Sequence, residues 1–233
     1  MKTMDTKKTI ADLQTQLEVT FKDEGLLERA FIHRSYLNEH PKSGLEHNER
    51  LEFLGDAVLE LVVTDYLYRS FDNPEGDLTN WRSALVKTES LSSVAEELEL
   101  DQYLRLSRGE AKGNVRSRSL IHANCVEALI GALYLDQGYD CAKEFVNRYI
   151  ISRLEGILAD GSWVDPKSKF QEIAQDQEGF TPHYKVLEEA GPDHDKTFTV
   201  GVYVGDKLQG KGKGSSKQSA QQAAAAVALK SYS

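Results

Sequence analysis

The chain has 233 residues, 40% of them hydrophobic, and a formal charge of −9. That length supports one large core or two smaller ones, and no run approaches the ~18 uncharged apolar residues of a membrane-crossing helix. The opening MKTMDTKKTIADLQ lacks the apolar centre of a secretory signal, and two cysteines, Cys125 and Cys141, are too few for a disulfide framework and lack zinc-site spacing. The expectation is a cytoplasmic protein with two free thiols in helices.

From residue 9 to about 158 the apolar period is helical nearly throughout: LLERAFIH, residues 48–70, LTNWRSALV, SLSSVAEELEL, a long run from 118 to 137, and AKEFVNRYIISRLEGIL. HPKSG, FDNPEGD and SRGEAKGN punctuate it as loops. This reads as an all-α domain over residues 1–158. ADGSWVD then mixes small and polar residues, which places a linker at 159–164. Beyond it PKSKFQEIAQDQ is helical in pattern, HYKVLEEA and KTFTVGVYV alternate as strands, and DKLQGKG offers a third. SSKQSAQQAAAAVALKSY closes the chain as an alanine-rich helix capped by Ser215 or Ser216. Residues 165–233 thus predict a small α+β domain in the order α-β-β-β-α.

Charge divides at the same place. Residues 1–160 hold 19 Lys and Arg against 28 Asp and Glu, whereas residues 161–233 hold 9 of each. Within the second part, residues 207–233 carry Lys207, Lys211, Lys213, Lys217 and Lys230 and no acid, a stretch suited to phosphates.

NERLEFLGDAVLE, residues 48–60, places Glu49, Glu52, Asp56 and Glu60 within about 80° of arc on a helix. Like charges at such spacing repel by roughly 0.2–0.5 kcal/mol per pair, and the same helix offers no cation on that face. Leu51, Phe53, Leu54, Ala57, Val58, Leu61 and Val62 provide packing surface on the remaining sides. HANCVEALIGALYLD places Asn124 and Glu127 at i and i+3 on a second apolar helix. Two such faces together supply oxygen ligands alone, which suits a hard cation such as Mg²⁺ and not zinc. Glu75, in the turn PEGDL, stands ready to contribute from outside.

NERLEFLGDAVLE also resembles very closely the signature of the ribonuclease III family, which cleaves double-stranded RNA. HRSYLNEH at 33–40 resembles the stretch before that signature, PEGDLT its carboxylate-bearing turn, and VEALIGALYLD its second catalytic helix. Residues 165–233 are similar to the family's double-stranded-RNA-binding domain through DPKSKFQE, GPDHDKTFTV and GKGKGSSKQSAQQAA. The resemblance implies that Glu52, Asp56, Asn124 and Glu127 hold Mg²⁺, with Mn²⁺ able to substitute, and that Asp56 and Glu127 are the catalytic pair. It gives Glu49 and Glu75 supporting roles, leaves Glu60 as a solvated acid, and makes Phe53 an aromatic that enters a socket on the partner subunit of a homodimer. For RNA binding it implies Ser168, Gln171 and Glu172 on the domain's first helix, His194 in a connecting loop, and Lys211, Lys213 and Lys217 around the start of the last helix.

The implied activity is Mg²⁺-dependent cleavage of double-stranded RNA, including ribosomal and messenger RNA precursors, to 5′-phosphate and 3′-hydroxyl ends with short 3′ overhangs. One position departs from the family: Asn124 stands where Asp is usual, and an amide oxygen coordinates a cation without adding charge. The alternative reading is therefore a catalytically weakened, dimeric double-stranded-RNA-binding protein.

Overall fold

The computed structural model describes residues 8–161, 163, 165–192 and 196–232. Its contacts divide the chain into two compact units, 1–161 and 162–233.

The first unit is helical: α1 (Ile10–Leu17), α2 (Glu24–Ala30), α3 (Arg34–Glu39), α4 (Glu49–Ser70), α5 (Glu75–Val86), α6 (Thr88–Glu97), α7 (Val115–Gln137), α8 (Tyr139–Tyr149) and α9 (Leu154–Asp160). The two long helices, α4 and α7, pack against each other and carry much of the core, including Leu51, Val58, Leu59, Val62, Val126, Leu129 and Ile130. Each starts from a defined cap or anchor. Asn114 Oδ1 accepts from the Ser117 amide at 2.9 Å ahead of α7. Ahead of α4, the buried Asn48 donates its side-chain amide to the Ala30 carbonyl at 3.1 Å and its backbone amide to Ile32 at 2.9 Å. Cys125 in α7 and Cys141 in α8 are free thiols, as expected. Among the described residues no helix is long and apolar enough to cross a membrane.

Three local expectations change. The run AKEFVNRYIISRLEGIL is not one helix: α8 ends at Tyr149, and a 3-10 turn at Ile151–Arg153 precedes α9. The adjacent β-branched Ile150 and Ile151 are both buried, and the tighter turn lets both face inward. Glu75 is the first residue of α5 and not part of a loop, because Pro74 ahead of it needs no amide partner. On α4, Phe53, Ala57 and Leu61 do not pack inside; Phe53 is 81% exposed and Leu61 57%.

The second unit has the expected order: α10 (Pro166–Glu178), the antiparallel strands β1 (His183–Ala190), β2 (Thr197–Val204) and β3 (Lys207–Gly214), and α11 (Lys217–Tyr232). Ser216 Oγ accepts from the Ser219 amide at 3.1 Å and caps α11. The core joins Phe170 and Ala174 of α10, Val202 and Val204 of β2, and Ala224, Ala225 and Ala228 of α11. Strand and helix approach closely because β3 presents only glycine to α11. A Cβ on Gly212 would lie 2.1 Å from the Ala224 nitrogen, and one on Gly210 2.6 Å from the Ala224 carbonyl oxygen.

Candidate active site and RNA-binding surface

The acids gather where α4 crosses α7, and glycine sets how close the crossing is. A Cβ on Gly55 would fall 1.7 Å from the Glu127 carbonyl oxygen, and one on Gly131 2.2 Å from the Leu51 carbonyl oxygen. The backbones therefore touch, and Glu52 and Asp56 of α4 come beside Asn124 and Glu127 of α7. Neither glycine is marked by periodicity or charge; Gly inside a long helix, at a cost of ~1 kcal/mol relative to Ala, is the sequence signal that finds them.

The electrostatics follow from this crowding. Burial, then the charges of Asp56 and Glu52, push the half-buried Glu127 carboxyl up to about 8. Glu52 is raised by burial and by Glu49 and Asp56, and is relieved in part by a hydrogen bond from the Asn124 amide. Among the described residues, no ion pair neutralises Glu52, Asp56 or Glu127. As they stand, no three His, Cys, Asp or Glu side chains among the described residues are set close enough to form a cation site. The donor set nevertheless fits a hard cation: three carboxylates and one amide oxygen, crowded enough to hold a proton that a metal ion would displace.

The remaining acids have partners of their own. Glu49 pairs with Arg34 at 3.3 Å. Glu60, expected to be merely solvated, pairs with Arg82 of α5 at 3.1 Å, a cation the helix itself could not reveal. Glu75 accepts from Thr79 Oγ1 at 2.8 Å and lines a cavity of about 200 Å³ with Thr64, Tyr68 and Arg82. Thr64 lies eight residues beyond Asp56, ~12 Å along α4, so Glu75 does not join the crossing within one chain. Phe53, Leu61 and the 78% exposed Tyr68 form an apolar stripe on α4 that borders the acid face.

In the second unit, Ser168, Gln171 and Glu172 share the exposed side of α10. Ser168 Oγ donates to Asp165, which caps the helix, and Glu172 pairs with Lys169 at 3.1 Å. The start of α10 meets α11 through the Lys167 amide and the Gln222 side chain at 3.3 Å. Lys217, in the first turn of α11, pairs with Glu189 at 3.2 Å and lies over the Phe198 ring. Lys211 and Lys213 alternate with the glycines of β3, so they project from the sheet face opposite α11 and away from Lys217; contrary to expectation, they share no surface with Ser168, Gln171 and Lys217 and leave the duplex-facing set. His194 lies outside the described residues.

Comparison with known proteins resolves what this arrangement belongs to. Residues 23–154 match the Ribonuclease-III-like family and residues 166–232 the double-stranded RNA binding motif. "Ribonuclease 3" of Latilactobacillus sakei is 44% identical over 222 residues, covering 94% of this chain and 96% of that protein. The chain belongs to the ribonuclease III family. "Ribonuclease 3" of Enterococcus faecalis is 43% identical over 98% of this chain and 99% of its own. The solved nuclease domain of ribonuclease III from Campylobacter jejuni matches with a TM-score of 0.56 at 39% identity, covering 63% of this chain and 96% of that one. A second structure of that nuclease domain, with a TM-score of 0.55, is described as flexible in a region involved in dimer formation. As a ribonuclease III, the protein is an endoribonuclease whose second domain is a double-stranded-RNA-binding fold.

Proposed function

We propose that the protein is a Mg²⁺-dependent endoribonuclease that cuts double-stranded RNA as a homodimer, one strand per protomer. The products carry 5′ phosphates and 3′ hydroxyls with short 3′ overhangs, and the natural substrates are ribosomal and messenger RNA precursors in the cytoplasm. The observation that carries this reading is the unneutralised carboxylate group at the α4–α7 crossing, with Glu127 raised to about 8.

Glu52, Asp56 and Glu127 supply carboxylate oxygens, and Asn124, whose amide nitrogen serves Glu52, retains its oxygen for a cation. Glu127 gives up its proton as the cation is taken up. When bound, Mg²⁺, or Mn²⁺ in its place, supplies an activated water and neutralises charge on the phosphate and the leaving oxygen. Asp56 and Glu127 orient the reacting groups from the two sides of the crossing. Glu49 and Glu75 serve RNA and water contacts at the rim. Phe53 enters a socket on the partner, and because its stripe borders the acid face, the dimer contact flanks the site. Ser168, Gln171, Glu172, His194 and Lys217 hold the duplex through its minor grooves and intervening phosphates.

The deciding experiment incubates the pure protein with an end-labelled RNA duplex in Mg²⁺, Mn²⁺ or EDTA and maps the product ends. Cleavage with either metal, none in EDTA, and none by Glu127→Gln are expected. A second reading rests on Asn124, which brings no charge to the site: intact RNA that still shifts on a gel would make the protein a non-cutting binder.

A further inference from the structure

The sheet of the RNA-binding unit has two unlike faces. Val202, Val204, Gly210 and Gly212 face α10 and α11. On the other face the register sets Lys185, Gly201 and Lys211 in one row across the three strands, with His183, Tyr203 and Leu208 in the row beside it. Thr199 and Lys213 continue the face on the other side of the central row. A bulge in β1 between Val186 and Glu188 leaves both Leu187 and Glu188 on this face. Leu187, Tyr203 and Leu208 lean over Gly201, where a Cβ would meet their side chains at 3.2, 3.1 and 2.9 Å. Leu187 remains 42% exposed and Leu208 39%. Lys185, Lys211 and Lys213 are exposed and, among the described residues, form no ion pair. Against these three cations stands Glu188, opposite Thr199 at the bulge.

We propose that this face docks an acidic amphipathic protein segment, with its apolar side chains on Leu187, Tyr203 and Leu208 and its carboxylates on Lys185, Lys211 and Lys213. Two strand spacings put Lys185 and Lys211 ~10 Å apart on either side of the apolar centre, the layout of a hydrophobic patch with a cationic rim. An RNA duplex presents phosphates and 2′-hydroxyls and has nothing to cover two leucines. A single strand would stack its bases on an aromatic ring, but Tyr203 already carries His183, stacked with ring centroids 5.4 Å apart, and the Lys185 ammonium at 5.2 Å. A second copy of the same face would oppose lysine to lysine. The duplex-facing candidates Ser168, Gln171 and Lys217 lie on the helices of the opposite side, so RNA and the acidic partner bind together.

The test is fluorescence anisotropy with the full-length protein and a labelled synthetic peptide of about 18 residues, with Leu at i, i+3, i+4 and i+7 and Glu elsewhere. One control peptide replaces Glu by Lys, the other Leu by Ser. The Leu/Glu peptide alone is expected to saturate. Lys185→Glu with Lys211→Glu, and Leu187→Ser with Leu208→Ser, should each weaken it by about tenfold or more, while affinity for an RNA duplex stays within about twofold. Retained duplex binding certifies the fold of each variant, and the lysine pair decides if the leucine pair unfolds. No saturation, or equal binding of all three peptides, overturns the proposal. So does loss of duplex binding in the lysine pair, which returns the face to RNA, or self-association that the lysine pair enhances, which gives it to a second copy.

Discussion

Gly55 presses against the Glu127 carbonyl so closely that a single added carbon would lie 1.7 Å from that oxygen. Gly55→Ala must therefore part α4 from α7. The expected cost is about 1–3 kcal/mol from overpacking, with loss of cleavage as Glu127 is displaced from Glu52 and Asp56. Gly156 in α9, with nothing within 4 Å of an added Cβ, is the control: Gly156→Ala should stabilise by roughly 0.5–1 kcal/mol. Urea unfolding and initial cleavage rates of both variants check the contrast, and a stabilised, active Gly55→Ala would refute the packing argument.

Glu127 gives the metal-free protein a pH dependence of definite sign. Its carboxyl sits at about 8 in the fold against an ordinary value of 4.5. Between those values the folded chain holds a proton that the unfolded chain has lost, so stability is fullest below the lower value and falls as pH rises through the upper one. With partial solvent screening, the loss should be about 1–3 kcal/mol. Urea titrations in EDTA at mildly acid and mildly alkaline pH should show it in the parent and not in Glu127→Gln; coincident slopes would remove Glu127 from the account.

Asn124→Asp adds a charge and also removes the donor that relieves Glu52. The variant should be less stable than the parent without metal, reach half-maximal cleavage at a lower Mg²⁺ concentration, and bind duplex RNA equally well at saturating Mg²⁺. A Mg²⁺ titration of initial rates reads this directly. Superimposed curves would mean that charge at this position does not set affinity.

Phe53→Ala should weaken the dimer by roughly 2–4 kcal/mol, the range of an aromatic that fills a partner's pocket. Because the ring is exposed within the protomer, monomer stability should hardly change. Sedimentation equilibrium separates the two, and an unshifted monomer–dimer midpoint would exclude Phe53 from the contact.

The acid face was legible because helical periodicity depends only on near neighbours in sequence, and the α-β-β-β-α order because strand alternation and caps are local signals too. What escaped was reciprocal. Arg82 neutralises Glu60 from another helix, Arg34 holds Glu49 from before α4, and Gly55 has meaning only once α7 lies against it. The exposure of Phe53 and Leu61 escaped for a related reason: an apolar residue reads alike whether it faces a core or a second molecule.

The glycine spacing of β3 separates two kinds of tolerance along one short strand. At Gly210, Gly212 and Gly214 any side chain collides with α11, whereas Lys211 and Lys213 between them meet solvent. A saturation scan of residues 210–214, beyond the bulge that sets Leu208 on the open face, would accordingly read as stripes of period two, lethal to the domain at the even positions and silent for folding at the odd ones. The odd positions are thus a writable surface: their charge can drift from one lineage to another, altering what the domain meets while leaving its architecture untouched.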